Sequence, residues 1–408
     1  MSKEILKHTS SKESSSQSNK RRSRSAPRRP SREVFTPRPK LLSTNTPRKA
    51  PNNVKPPTQH VEKQPLEPST DDKAQAIDQT TNQQPVNGRE LRGKQAPPHL
   101  PNGIVLLDRL RIDRMLGSGG FGQVFRAFDQ VTGKWVAVKV EPCDRDAGRM
   151  ILEQKVLSLL RSIDHFPKLI ASGQHANFMF IAMEMLGRNL GDLRRRLTTK
   201  RFCASTGLRA IDQMVVALRE VHNVGYIHRD VKPANMCIGL GQEKQRTIYL
   251  VDFGMTRRHR TESGEVRKCR TYAGFRGTSR YVSLTVHERR DQGPRDDLWS
   301  LLYSLIELVE GSLPWRHIDD DYEMEQKKRR TPIEEMLMHL PRSIKEIAEH
   351  LEQLTYEQTP NYEHIRQILM QSIGTTAIRM GEYECFDQKL RNGIRFYPLI
   401  LKSIDHSC

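Results

Sequence analysis

The sequence predicts an α+β fold in two lobes: a small antiparallel β-sheet lobe with one main helix, then a larger, mainly α-helical lobe, with a long disordered tail in front. Three observations carry this expectation. From Ile104 to about Met185 the apolar residues alternate or cluster at strand spacing around Gly-rich turns, with a single helical stretch among them. From there to about residue 373 they recur mostly at helical spacing. Before residue 104 there is almost nothing to bury.

The first 100 residues hold 13 of the 23 prolines, no Trp, no Tyr and one Phe, Phe35, so they lack the side chains for a core and are expected to be disordered. They carry 20 Lys and Arg against 9 Asp and Glu, which is +11 of the total +19. The densest run, KRRSRSAPRRPSR at 20–32, suits nucleic acid, acidic protein tails, an anionic membrane surface or nuclear import, and equally a solvated tail with phosphorylatable serines. Ile5-Leu6 runs directly into a polar, Ser-rich stretch, which argues against a secretory signal. The apolar run from Leu298 to Val309 is well short of the ~20 residues a membrane span requires and carries Glu307, so it reads as a buried core helix. Cys143, Cys203, Cys237, Cys269, Cys385 and Cys408 are scattered without a C-x-x-C pair, which speaks against a zinc site or disulfide framework and for a cytoplasmic or nuclear setting.

RLRIDRML, QVFRAFD and KWVAVKV read as three consecutive antiparallel strands. In MILEQKVLSLLRSI, the residues Leu152, Val156, Leu159, Leu160 and Ile163 define one helical face. KLIASG and FMFIAME add two strands and complete the small lobe. In the large lobe, Leu208, Ile211, Val215, Leu218, Val221 and His222 form a second helical face, and Met236 to Ile238 with Ile248 to Val251 suggests a hairpin. No internal repeat is present.

Chemistry concentrates in a few places. HRDVKPANM, at 228–236, sets Asp230 two residues before Lys232 and five before Asn235, with Pro233 stiffening the backbone; a plain polar loop has the same composition. LGSGGFGQV, at 116–124, contains G-x-G-x-x-G at Gly117, Gly119 and Gly122. A dinucleotide loop would open a helix, but these glycines lie between two strands, as in a hairpin flap whose amides can approach phosphates; an ordinary Gly-rich hairpin is the alternative. Lys139, on the inner face of a strand, needs an anion, either a nucleotide phosphate or Glu153 on the following helix. Asp252 in VDFG ends a strand, where it and Asn235 offer oxygen ligands of the kind Mg2+ prefers.

In this order and context, Gly117 to Val124, Lys139, Glu153, His228-Arg229-Asp230 with Asn235, and Asp252-Phe253-Gly254 resemble the eukaryotic protein kinase family over about residues 105–375. The resemblance implies a tail over 1–103, a catalytic domain over 104–375 (small lobe 104–185, large lobe 186–375) and a C-terminal extension over 376–408. It implies transfer of the γ-phosphate of ATP to Ser or Thr of protein substrates, with Asp230 accepting the hydroxyl proton and Lys232 neutralising the γ-phosphate. Asn235 and Asp252 would hold Mg2+, and Lys139, fixed by Glu153, would grip the α- and β-phosphates. Leu116, Gly117, Ser118, Gly119, Gly120, Phe121, Gly122, Gln123 and Val124 would cover the nucleotide. Adenine would lie between Leu116, Val124 and Ala137 above and Cys237 and Val251 below, with Met183 as gatekeeper and backbone groups of Glu184 and Leu186 on its edge.

GFRGTSRYVSLTVH at 274–287 and DDLWSLLYSLIELVEGSLPWR at 296–316 resemble the casein kinase 1 group, particularly its tau-tubulin kinase-like branch. Ser283-Leu284-Thr285 stands where most kinases have Ala-Pro-Glu, and the group's more usual form is Ser-Ile-Asn or Ser-Val-Asn. By the same resemblance, Asp297 would anchor the catalytic loop through backbone amides. Arg276 and Arg280, helped by Lys327-Lys328-Arg329-Arg330, would read an acidic or phosphorylated substrate residue, against the alternative of a solvated basic surface. Two rival functions are a pseudokinase scaffold and a basic-tail binding module for microtubules or nucleic acid. Intact Lys139, Asp230, Asn235 and Asp252 argue against the first.

Overall fold

The structure, a computed structural model, describes residues 97–119, 122–143 and 147–380. The expectations for the tail and its basic run at 20–32, for Gly120 and Phe121, and for the segment beyond 380 with Cys385 and Cys408 lie outside those residues. The four described cysteines, Cys143, Cys203, Cys237 and Cys269, are free thiols, as their scatter predicts.

The small lobe is one antiparallel sheet of β1 (Val105–Leu106), β2 (Leu110–Gly119), β3 (Gly122–Asp129), β4 (Lys134–Pro142), β5 (Leu169–His175) and β6 (Phe178–Glu184), in the order β1-β2-β3-β4-β6-β5. Side chains alternate between its faces. Phe125, Ala127, Val136, Val138, Phe180 and Ala182 form a core on one face with Leu106 and Leu110. Leu100 joins that core at 2% exposure, so the packed domain begins upstream of the expected boundary at 104. Gln123 secures this approach: its side-chain oxygen accepts from the His99 amide and its nitrogen donates to the Pro97 carbonyl, each at 2.7 Å.

The helix of the small lobe, α1 (Ala147–Leu159), buries most of the face that apolar spacing predicts: Val156 and Leu160 lie in the core, and Leu152 and Ile163 pack against it. Met150, Glu153, Val156 and Leu157 are buried, with Leu160 just past its end, whereas Leu159 is 46% exposed. Glu153 belongs to the buried side, and at 3.6 residues per turn Leu159 falls about 120° away from it. A face drawn from apolar residues alone leaves out Glu153, which is buried beside it.

The large lobe follows with α2 (Leu190–Arg196), α3 (Ala204–Asn223), β7 (Tyr226–Ile227), β8 (Met236–Ile238), β9 (Ile248–Leu250), β10 (Arg257–Arg258), α4 (Leu284–His287), α5 (Pro294–Glu310), α6 (Asp321–Arg330), α7 (Lys345–Glu352) and α8 (Tyr362–Met380). All six residues of the expected α3 face are buried. The five apolar ones pack in one core with Leu298, Leu301, Leu302 and Leu305 of α5, and with Ile365 and Leu369 of α8. A Cβ on Gly207 would run into Val309, so α3 and α5 pass too closely there for any larger residue. Helix α5 opens with Pro294 at its first position, where the absent N–H costs nothing, and closes on Gly311 in the left-handed region at φ 92°. Among the described residues no helix is long and apolar enough to cross a membrane.

Two short pairs, β7 with β10 and β8 with β9, frame the loop that carries HRDVKPANM. The second pair stops at Leu250 rather than Val251, because the Val251 amide donates to the Asn235 carbonyl at 3.0 Å instead. That bond joins the end of the catalytic loop to the strand leading into Asp252.

Candidate active site

The sheet face opposite the small-lobe core forms one wall of a cleft. Val124 pairs with Lys139 and Ala137 with Met183, so these four share that face. Val124, Ala137 and Met183 are half-buried, whereas the core face beside them is fully covered. Gly117, opposite Val124, shares the cleft face. Among the described residues nothing lies within 4 Å of where a Cβ would stand on Gly117 or Gly119. Gly122 differs: its φ is +101° and a Cβ would strike the Val140 carbonyl, so the hairpin itself requires glycine. Ser118 pairs with Gln123 on the other face, and the Gln123 side chain is committed to Pro97 and His99. Strand alternation therefore turns both side chains away from the cleft, and what Ser118 and Gln123 present toward it is backbone.

Lys139 is buried, its Nζ 2.6 Å from Glu153 Oε2 and 2.9 Å from Asp252 Oδ1, with Glu141 Oε1 at 3.7 Å. Burial would lower the Lys139 pKa, but the Glu153 and Asp252 carboxylates outweigh it and raise it. Burial raises Glu153, against the pull of Lys139, whereas the same ammonium prevails at Asp252 and holds it below the ordinary aspartate value. Lys139 is thus a fixed cation bridging α1, the sheet and the VDFG turn.

The linker after β6 and the opposite wall complete the cleft. The Glu184 amide donates to the Lys168 carbonyl at 2.9 Å, and its carboxylate pairs with Lys244. Leu186 is half-buried beyond it. Cys237 and Val251 are half-buried on the large-lobe side, and burial pushes the Cys237 thiol up to about 12. Leu116 is half-buried at an irregularity in the β2–β3 register, between Met115 and Gly117.

Asp297, in the first turn of α5, organises the catalytic loop. Its Oδ2 accepts from the His228 amide at 2.7 Å and from His222 Nε2 at 2.9 Å, and its Oδ1 from the Arg229 amide at 2.7 Å. The Tyr362 hydroxyl stands 2.6 Å from His222 Nδ1 and sets that ring. Burial works against ionising Asp297, yet the bond from His222 and the amide of His228 hold its pKa below the ordinary value. Arg229 and Asp252 both take left-handed backbone, at φ 68° and 69°, a strain of roughly 1–3 kcal/mol each for a non-glycine residue that only a rigid surround sustains.

The reactive groups meet within that frame. Lys232 Nζ donates to Asp230 Oδ2 at 2.7 Å and to Thr278 Oγ1 at 2.9 Å, and the Thr278 hydroxyl donates to Asp230 Oδ1 at 2.7 Å. Asn235 Nδ2 donates to the Asp230 carbonyl at 2.9 Å. Because its nitrogen is spent there, Asn235 offers its amide oxygen outward, and with the ionised Asp252 it makes the oxygen donor set a hard divalent cation takes. Thr278 was missed by the sequence analysis. Its only trace was its place in GFRGTSRY, where a hydroxyl beside Arg280 gave no sign of reaching Asp230. Glu141, His222 and Tyr362 were also missed as site residues.

The basic run at 327–330 does not act as one surface. Lys328 is buried, Arg329 pairs with Glu288 and Glu325, and Lys327 and Arg330 stay exposed. Helical geometry turns the four residues to different sides. Arg280 has its guanidinium 3.3 Å from the Arg316 carbonyl and 3.8 Å from Glu307, and Arg276 is exposed, bonding the Phe275 carbonyl at 3.0 Å.

Residues 110–372 match the family described as Protein kinase domain. A Dictyostelium discoideum protein named as a serine/threonine-protein kinase is 37% identical over 289 residues, 71% of this chain and 58% of its own length. A Caenorhabditis elegans protein named for casein kinase I is 42% identical over 234 residues, 57% of this chain and 69% of its own. Another from Caenorhabditis elegans, named as a serine/threonine-protein kinase, is 34% identical over 283 residues, 67% and 74% of the two lengths. The chain thus spans less than two-thirds of the Dictyostelium relative.

Removing the central cation gives a signed prediction. Lys139→Met leaves Glu153 and Asp252 buried without it and should cost about 3 kcal/mol at pH 8. Burial already raises Glu153 above its unfolded value and loss of the Lys139 pull raises it further, so the added penalty is full above the variant's folded pKa and fades as pH falls toward the unfolded one. The gap from wild type in denaturation midpoint should therefore narrow between pH 8 and pH 5; a constant gap contradicts this assignment.

Proposed function

The chain belongs to the protein kinase family, and we propose that it transfers the γ-phosphate of ATP to serine and threonine hydroxyls of protein substrates. One observation carries the reading: Asp230, Lys232, Thr278 and Asn235 converge within hydrogen-bonding distance on the large-lobe side of a cleft whose other wall presents Lys139. Phosphoryl transfer asks chiefly for positioning and for neutralisation of spread negative charge, which this set supplies.

In this reading the Asp230 carboxylate orients the incoming hydroxyl and takes its proton. Lys232, already between Asp230 and Thr278, faces the γ-phosphate. Lys139 holds the α- and β-phosphates, with Glu153 keeping the ammonium in place. Asn235 and Asp252 would hold Mg2+, whose charge offsets that of the phosphate oxygens. Val124, Ala137, Leu116, Cys237 and Val251 offer apolar area for adenine, beside Met183 and the backbone of Glu184 and Leu186. The Lys232–Thr278 pair supports Ser and Thr as acceptors. The segments around Gly274 to His287 and Asp296 to Arg316 support placement beside the tau-tubulin kinase-like branch of the casein kinase 1 group.

Substrate choice belongs to the same proposal. Arg276 and the partly exposed Arg280 flank Thr278 and suit an acidic or phosphorylated residue on the substrate.

Two experiments test this. Asp230→Asn should lower kcat on protein or peptide substrate by at least about 100-fold while ATP affinity stays within a few-fold; undiminished turnover would remove Asp230 from the chemistry. Arg280→Ala should lower kcat/KM on acidic or primed peptides by about tenfold and spare neutral ones. Equal losses on both peptide classes would end the substrate proposal.

A further inference from the structure

Lys328 is the inward-facing member of its basic run, 4% exposed. Its Nζ lies 2.7 Å from the Ser279 carbonyl, 2.7 Å from the Val282 carbonyl and 3.1 Å from His287 Nε2. The rings of Tyr303 and Trp315 stand 5.4 Å away on centroid. Three acceptors match the three N–H bonds of an ammonium. Burial holds His287 down to about 4, with Lys328 adding to the effect, so its ring is neutral and able to accept. No carboxylate among the described residues forms an ion pair with Lys328; Asp321, on the same helix, accepts the Ser279 hydroxyl at 2.8 Å instead.

Such a placement is costly. A buried cation bonded only to carbonyl and imidazole acceptors forgoes hydration for little in return, and burial pulls Lys328 down to about 7 against the weaker opposing pull of Asp321. What the ammonium adds is its grip on the segment from Thr278 to Val282. The Arg280 carbonyl in that segment accepts from Trp315 Nε1 at 2.8 Å, and the Tyr281 hydroxyl bonds the Glu307 carboxylate. Every residue of the strip is therefore pinned, and Thr278 at its head bonds Asp230 and Lys232.

We propose that Lys328 is a positioning residue for phosphoryl transfer: by holding the Ser279 and Val282 carbonyls it keeps Thr278 seated on Asp230 and sets the substrate-facing strip. This rests on the kinase reading above for its catalytic consequence, but not for the structural one.

The test compares the full chain with its Lys328→Met variant in steady-state phosphorylation of a serine peptide and in amide hydrogen exchange. The peptide kcat/KM should fall by about tenfold or more while KM for ATP stays within about twofold. The Tyr281 and Val282 amides, which bond the Thr278 carbonyl at 2.8 and 3.2 Å, should exchange at least about tenfold faster. Added to Thr278→Val, the substitution should cost little more, because it acts through the same contact. Unchanged kinetics with unchanged exchange, strictly additive losses, or an equal rise in KM for ATP would each overturn the proposal. If the wild-type chain transfers no phosphate, the kinase reading fails separately, and exchange at Tyr281 and Val282 still decides whether Lys328 holds the strip. Should Lys328→Met not fold, Lys328→Gln carries the same comparisons.

Discussion

The Asp297 carboxylate sits out of water at the start of α5 and accepts from two consecutive backbone amides, those of His228 and Arg229, and the cleft is arranged around that constraint. Burying a carboxylate costs several kcal/mol unless donors replace its water. Here the donors are parts of the catalytic loop itself, with His222 as a third, so the cost is offset only when the loop adopts its one working conformation. Arg229 is held at a positive φ in the process, which directs Asp230 toward Lys232 and Thr278. The tie continues through His222 to Tyr362 at the start of α8, so three large-lobe helices fix a loop of a few residues.

The second organising element is Lys139. Its ammonium is shared between an acid of α1 and the acid of the VDFG turn, so one charge joins the small-lobe sheet, its helix and the large lobe. The two clusters meet through Asn235, whose side chain bonds Asp230 and whose carbonyl takes the Val251 amide next to Asp252. The Asp230 and Lys139 clusters are thereby set by a continuous chain of bonds rather than by separate local preferences.

The strands around Gly117 to Val124 and Lys139 were legible because sheet periodicity is local and strong. The acids and amides of the site were legible because their spacing within short motifs is nearly fixed by the loop geometry they serve. The role of Asp297 came from family resemblance and was met by the amide bonds seen. Less legible were features set by contacts across long sequence separations. Thr278 lies 48 residues from Asp230, and nothing in its own neighbourhood announces the bond. The burial of Glu153 on α1 was less legible because the partner that makes it tolerable, Lys139, is on another element. Gln123 was placed with the nucleotide by its position in the glycine motif, although strand alternation sends its side chain to the other face. Lys328 looked like surface charge because four basic residues in a row conceal which one turns inward.

The most direct test of this account is the carboxyl titration of Asp297, followed by carbon NMR with selectively labelled aspartate and assigned by comparison with Asp297→Asn. If the loop amides and His222 outweigh burial, its carboxyl should stay ionised below the ordinary value of 3.8. Stability from this group is then present above that value and lost as pH falls through the lower folded pKa. A midpoint at or above 3.8 would mean that desolvation prevails and that the catalytic loop is held by something other than this carboxylate.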